Sequence, residues 1–295
     1  MKEKQRYIGR FAPSPSGPLH FGSLIAALGS YLQAKRQAGQ WLVRIEDLDP
    51  PREMAGAADH ILRTLDDYGL HWDGGIMYQS QRHDAYQAQI DAWLQSTQAY
   101  ACECSRKQIQ QAGGFYPGTC REKQLAVEGQ AIRLKQTEPV TSFIDVRYGN
   151  MEIPEALAHE DFIIRRRDGL YAYNLAVVLD DIEQGVTEVV RGADLIEPTG
   201  RQIGLYRMLA KPEVSYLHLP LAVTSQGYKL SKQNRAPAIT ADQAVPTLKA
   251  AMGILGLPVH DLQLLPDDRD SLLQWAVKEW HPDLLPNEQS VVEPF

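Results

Sequence analysis

The sequence predicts an α/β fold built on a parallel sheet, with a cysteine-bearing insertion and a short helical C-terminal region. Three observations predict it. A strand, a stiff loop, a helix and a second strand close between Tyr7 and Ile45, the size of a βαβ unit. All the cysteines fall between Cys102 and Cys120, amid glycines and a proline that suit no regular element. From about residue 239 onward, apolar residues recur only at helical spacing.

The first unit sets the frame. Tyr7-Ile8-Gly9-Arg10-Phe11 reads as a short buried strand. Pro13, Pro15, Gly17 and Pro18 then exclude any regular element and leave a loop with few conformations. Leu24, Ile25, Leu28, Tyr31 and Leu32 follow at helical spacing, closed by Gly39, and Trp41 to Ile45 reads as the second strand. The loop lies at a strand C-terminus and a helix N-terminus, where free N–H groups and the helix dipole suit a phosphate. His20 can donate to a phosphoryl oxygen there, and Gly22 lets a ligand approach the backbone. The plainer alternative is a tight turn with one solvated histidine.

The second strand ends in Arg44-Ile-Glu46-Asp-Leu-Asp49. Ligands of open parallel sheets sit beyond such strand ends, so Glu46 can hold an ammonium group; the alternative is a surface acidic turn. Ala57 to Tyr68 reads as a helix with Ile61, Leu62 and Leu65 inward, broken by Gly69 to Gly75. Tyr78-Gln-Ser-Gln-Arg82 leads into another helix through Tyr86, Ile90, Trp93 and Leu94.

Three cysteines crowded together in a chain with no evident signal peptide argue for metal rather than disulfides. Zinc takes four N or S ligands, and no histidine occurs between His83 and His159. The fourth position is open to Tyr116, Glu103, Glu122 or water. Without a catalytic base beside it, such a zinc is structural and staples a segment poor in core residues.

Ala131 to Leu134 and Thr141 to Val146 read as short strands. Asp161 to Ile164, Arg165-Arg-Arg167 and the turn Asp168-Gly169 predict a hairpin that continues from Leu170 to Leu179. Thr187 to Val190 reads as a sheet strand ending near Arg191, and Thr199 to Leu209 as a helix start and helix. Tyr228-Lys229-Leu-Ser231-Lys232-Gln233 is a basic loop.

The 295 residues carry a net charge of −7, with 44% apolar and 23% charged residues. That is ordinary soluble composition without a global basic footprint, so any RNA role rests on motifs. No run of about 18 apolar residues suggests a membrane span. The charged N-terminus lacks the apolar stretch of a signal peptide, and a cytoplasmic location is expected.

Pro18-Leu-His20-Phe-Gly22-Ser23 resembles the "HIGH" signature of class I aminoacyl-tRNA synthetases. The longer string from Arg10 through Gly22 is similar to the glutamyl/glutaminyl branch, as are the Arg-Ile-Glu-Asp at Arg44 to Asp47, Tyr173-Asn174 and Asp180-Asp181. Lys229-Leu-Ser-Lys232-Gln233 resembles the second class I signature, "KMSKS", with Gln at its last position. The resemblance runs roughly from residue 6 to 235. It implies a Rossmann-like catalytic domain in two halves, 1–100 and 171–238, around a zinc-containing, acceptor-binding-like insertion at 101–170. A short helical region at 239–295 then stands where relatives carry an anticodon-binding domain.

The resemblance also implies roles. Recognition of glutamate needs a guanidinium fork for carboxylate and an acid for ammonium. Arg10, Phe11, Ala12, Pro13, Ser14, Glu46, Tyr173 and Arg191 are assigned to L-glutamate, with Arg10 and Arg191 converging from two strand ends. His20, Gly22 and Lys232 are assigned to ATP, and His20, Lys229 and Lys232, with Mg²⁺, to the chemistry. Cys102, Cys104, Tyr116 and Cys120 are assigned to zinc. The short C-terminal region points to the truncated members of the branch, which attach glutamate to the queuosine base at the wobble position of tRNA(Asp). The expectation is a monomer that forms glutamyl-adenylate without RNA and then transfers glutamate to that base. The alternatives are a conventional synthetase charging the tRNA 3′ end and a non-catalytic glutamate- or RNA-binding paralogue.

Overall fold

Strand β1 (Ile8–Phe11) runs through the proline-rich loop into α1 (Phe21–Arg36) and β2 (Gln40–Ile45). The computed structural model describes residues 6–224, 226–227, 237–259 and 266–292. β1 and β2 pair in parallel, Arg10 opposite Leu42, so the expected βαβ unit is present. Gly17 turns the loop at φ 141°, a backbone region that side chains rarely adopt. Next come α2 (Ala57–Asp67), β3 (Met77–Tyr78), which pairs in parallel with β2, and α3 (His83–Gln95).

The middle of the chain supplies β4 (Ala99–Cys102), α4 (Arg106–Gln111), β5 (Ala131–Leu134), β6 (Ser142–Asp145), β7 (Gly149–Glu152), α5 (Glu155–Ala158) and β8 (Phe162–Arg165). β4, β5 and β8 form an antiparallel sheet of their own. The third section carries α6 (Tyr173–Glu183), β9 (Glu188–Gly192), α7 (Ile196–Met208), β10 (Ser215–Leu219) and β11 (Leu221–Val223). The described chain ends with α8 (Ala244–Ile254), α9 (Arg269–Glu279) and β12 (Ser290–Val292), which pairs with β11.

One element corrects the sequence reading. The hairpin expected to continue to Leu179 stops after Tyr171, which bridges to Arg165, and Tyr173–Glu183 is helical. Leu175, Ala176, Val177 and Val178 are all buried, so the helix has no polar face to betray its period. As a helix it sends Asp180 and Asp181 to different neighbours, Asp180 to Tyr86 and Gln79, and Asp181 to the first strands.

The main sheet is made of two parallel pieces, β3-β2-β1 and β9-β10-β6, with β7 added antiparallel at the far edge. They meet where Thr187 N donates to Ile8 O at 2.9 Å and Thr187 Oγ1 accepts from Ile8 N at 3.0 Å. The strand order therefore switches direction between β1 and β9, and both strand C-termini open on the same crevice. α1 lies across this junction. Leu24, Leu28 and Leu32 on it are fully buried, so truncating any of them to alanine costs about 2–5 kcal/mol. A Cβ on Gly29 would meet Leu219 Cδ1 at 2.5 Å, which shows how closely the helix rides on β10. The C-terminal helices cover the outer side of α1, where Trp280 Nε1 donates to Gln33 Oε1 at 2.8 Å.

Candidate active site

A cleft of about 610 Å³ opens at the β1–β9 switch point. The loop after β1 supplies Ala12, Pro13 and Ser14, the start of α1 supplies His20 and Gly22, and the end of β2 supplies Glu46. Arg10, Phe11, Tyr173 and Arg191 complete the set, so every residue expected for glutamate lines this one cleft, beside His20 and Gly22. Lys229 and Lys232 lie outside the described residues. The chain that follows them returns to the cleft: Ile239 N donates to Leu19 O at 3.0 Å, and Ala238 bridges to His20.

His20 is the N-cap of α1, its Nδ1 accepting from Ser23 N at 3.3 Å. In the neutral ring that bond puts the proton on Nε2. The first turn of α1 contains no acidic residue, and its dipole favours an anion at this end.

The two arginines stand in different company. Arg10 is 3% exposed and chelates Asp181 through Nε at 3.0 Å and Nη2 at 3.3 Å. Arg44, fully buried beside it, reaches the same carboxylate at 2.7 Å and also Gln184 at 2.8 Å. Burial works against ionised Asp181, but Arg10 and Arg44 together outweigh it and hold its carboxyl below the usual range. Arg191 makes five bonds, all to neutral acceptors: His218 Nε2, Tyr173 Oη, Gln202 Oε1, Leu195 O and Thr199 Oγ1. Burial raises the Glu46 carboxyl above its usual range, with Arg44 and Arg10 pulling it back. An ammonium group in the cleft would relieve that cost.

Sequence reasoning missed much of this support. Asp145, Thr199, Gln202 and His218 lie behind the cleft, buried in β6, α7 and β10, and the last of these strands was not anticipated. The one available signal was His218, a histidine amid the apolar residues Tyr216, Leu217 and Leu219. Arg52, Asp194 and Ser16 also line the cleft and were not anticipated.

The cysteines form a second site at the end of β4. The sulfurs of Cys102, Cys104 and Cys120 all lie within 4.8 Å of one another, with Cys104 and Cys120 at 3.5 Å. Burial and the neighbouring Cys120 push the Cys104 thiol up to about 12. Three sulfurs this close can converge on one cation, so the donor set suits a soft metal ion. Arg133 Nε donates to Cys102 Sγ at 3.3 Å, an outer contact that orients the sulfur. Tyr116 is at the cluster, its hydroxyl accepting from Cys120 N at 2.7 Å. Glu103, another candidate ligand, pairs instead with Lys123 at 2.8 Å.

The arginine run after β8 ties segments together. Arg165 donates to Gln87, Arg166 to Asp49, and Arg167 to Glu103 O. Arg167 thereby anchors the cysteine segment, and Arg166 reaches the loop beyond Glu46.

The profile of the family described as tRNA synthetases class I (E and Q), catalytic domain, matches residues 8–247. The chain is 65% identical to a glutamyl-Q tRNA(Asp) synthetase of Photobacterium profundum, over 99% of this chain and 94% of that one. It is 63% identical to a protein of the same description from Vibrio parahaemolyticus, over 98% of each chain. In fold it is similar to the glutamate-tRNA synthetase of Elizabethkingia anophelis, with a TM-score of 0.77 at 23% identity, over 97% of this chain and 67% of that one. Full-length identity of this order, a matching catalytic-domain profile and the cleft at the switch point agree: the chain belongs to the glutamyl-Q tRNA(Asp) synthetase family, within the glutamyl and glutaminyl branch of the class I tRNA synthetases.

Proposed function

We propose that this chain is an ATP-dependent ligase that activates L-glutamate as glutamyl-adenylate without RNA, then transfers it to the queuosine base at the wobble position of tRNA(Asp). The observation that carries the reading is one cleft that gathers a buried guanidinium with no carboxylate partner among the described residues, a carboxylate for an ammonium group, and a helix N-terminus capped by His20. Arg191 and Tyr173 receive one substrate carboxylate, and Glu46 receives the ammonium. Arg10 shapes the floor through its Asp181 pair, with Phe11, Ala12, Pro13 and Ser14 as the wall.

An oxygen of the α-carboxylate attacks the α-phosphorus of ATP, the bond to the bridging oxygen breaks, and pyrophosphate leaves. Negative charge grows on the phosphoryl oxygens, where the α1 N-terminus, Gly22 N–H and His20 Nε2–H are poised to donate. Lys229 and Lys232 supply positive charge to the same phosphates, and Mg²⁺ accompanies the nucleotide. A hydroxyl of queuosine then attacks the activated carbonyl, and AMP leaves. Residues 101–170 take up the anticodon loop, whose splayed bases are the usual targets of sequence-specific RNA recognition. Cys102, Cys104 and Cys120, with Tyr116, would hold a zinc ion that staples that segment and supplies no step of the chemistry. A tRNA-modifying role of this kind belongs in the cytoplasm.

Glutamate-dependent exchange of pyrophosphate into ATP, measured without RNA, tests the activation step. Exchange with glutamate and not with aspartate or glutamine is expected. Its absence at saturating glutamate and ATP would overturn the reading.

A further inference from the structure

Arg191 is 5% exposed, yet among the described residues no carboxylate forms an ion pair with it. A buried cation with only neutral acceptors is costly unless an anion stands close by. That anion is one residue removed. In register across the sheet, His218 of β10 lies opposite Arg191 of β9, and Tyr216 of β10 lies opposite Asp145 of β6. Three adjacent strands thus carry Asp145, His218 and Arg191 side by side.

The contacts form a continuous line. Asp145 Oδ2 accepts from His218 Nδ1 at 2.7 Å and from His218 N at 3.0 Å. Its Oδ1 accepts from Arg147 N and Tyr148 N, each at 2.9 Å. The carboxylate is 1% exposed and held from both oxygens, so it cannot swing toward Arg191. His218 Nε2 in turn accepts from Arg191 Nε at 3.2 Å. The ring is fully buried, with Tyr216 stacked on it and Phe143 against its edge. Burial lowers its proton affinity, against Asp145, so the imidazole is neutral with its one proton on Nδ1.

We propose that Asp145 and His218 are positioning residues for Arg191: the imidazole couples the aspartate to the back edge of the guanidinium, fixing the fork while leaving its charge available to a substrate carboxylate. The proposal rests on the reading that Arg191 receives that carboxylate. Arg10 shows the opposite arrangement, because direct chelation by Asp181 matches its charge within the protein. The imidazole keeps the anion of Asp145 farther away, where it attracts Arg191 more weakly. Gln202 at 2.7 Å and Thr199 at 2.8 Å hold the guanidinium's other nitrogens. Its weakest bond is the 3.3 Å contact to Tyr173, the side chain that shares the cleft, and a carboxylate there would accept from both groups. A glutamine side chain would turn either an oxygen or an NH₂ to the same place, so the unspent charge also favours glutamate over glutamine.

The test is pyrophosphate exchange by the full chain, with KM measured separately for glutamate and ATP. His218→Phe removes the acceptor at Nε2 and the donor at Nδ1. A rise of about tenfold or more in KM for glutamate is expected, roughly 1.4 kcal/mol, with KM for ATP within about twofold of the parent. His218→Gln retains an acceptor near the position of Nε2 and recovers most of the loss. Asp145→Asn keeps the shape, removes the charge and raises KM for glutamate several-fold. Combining His218→Phe with Arg191→Ala adds nothing beyond Arg191→Ala alone, because both act through one guanidinium.

A parent-like KM for glutamate in His218→Phe, or additive effects in the double variant, would overturn the proposal. If His218→Phe does not fold, His218→Gln and Asp145→Asn decide: a parent-like KM in Asp145→Asn overturns it. The two levels separate through Arg191→Ala. An unchanged KM for glutamate there refutes the carboxylate role itself. A raised KM there, with parent-like His218 and Asp145 variants, refutes only the relay.

Discussion

Replacing Asp181 by asparagine removes the anion that holds two buried cations under the cleft. Asp181 accepts from Arg10 at 3.0 and 3.3 Å and from Arg44 at 2.7 Å, and all three side chains are 4% exposed or less. Breaking a buried pair by deleting one partner costs about 3–5 kcal/mol, because the other charge stays buried. Asparagine keeps the shape and one acceptor oxygen, which returns about 1 kcal/mol. A net loss of about 3 kcal/mol is expected, a fall in Tm of roughly 5 °C for a chain of this size. Scanning calorimetry of parent and variant at neutral pH measures it. The pH dependence carries its own sign. The Asp181 carboxyl titrates below its usual value in the folded chain, so its contribution is full above about pH 4 and fades as pH falls through the lower folded value. The gap in Tm between parent and variant should therefore hold from neutral pH down to about pH 4 and narrow only below it. A variant within about 2 °C of the parent at neutral pH would refute the assignment of Asp181 as the counter-charge of both arginines.

Lys232→Ala should slow adenylate formation with little change in affinity for glutamate, read by pyrophosphate exchange beside glutamate-induced thermal shift; parent-like turnover would sink the ATP role given to this lysine. Glu46→Gln should raise KM for glutamate about tenfold or more, since a buried carboxylate is replaced by a neutral amide. In the parent the same KM should climb as pH falls through the raised value of Glu46, above the ordinary 4.5, and that climb should be missing from Glu46→Gln. Metal chelation should open the segment from Cys102 to Cys120 to proteases while pyrophosphate exchange persists. An exchange rate that falls in step with bound metal, and returns with altered metal specificity, would contradict a structural role.

The parts legible in the sequence were those written in short-range chemistry. Proline and glycine between Phe11 and His20 forced a loop, and that loop fixed the strand before it and the helix after it. Arg10, Glu46 and Arg191 were readable because each stands at the C-terminal end of a sheet strand, where ligands gather. The helix Tyr173–Glu183 was not readable. It is buried on nearly every side, so its apolar run carries no period, and Val177 and Val178 favour a strand by local propensity. Only packing between the sheet and its neighbours decides the matter. The counter-charges were hidden for a different reason. Asp181 finds Arg10 and Arg44 from more than a hundred residues away, and Asp145 finds His218 across a strand pairing that no local pattern announces. The arginine run at Arg165 to Arg167 braces three segments through bonds to Gln87, Asp49 and Glu103 O, partners that no local pattern announces.

The acceptor is the centre of the account, and one measurement addresses it directly: transfer of labelled glutamate to purified tRNA(Asp) prepared with and without queuosine. Label on the queuosine-containing RNA alone, stable when the 3′-terminal nucleoside is removed, is the predicted result. Label on tRNA(Glu), or on the terminal ribose of either RNA, would contradict it and make this a small enzyme of conventional charging.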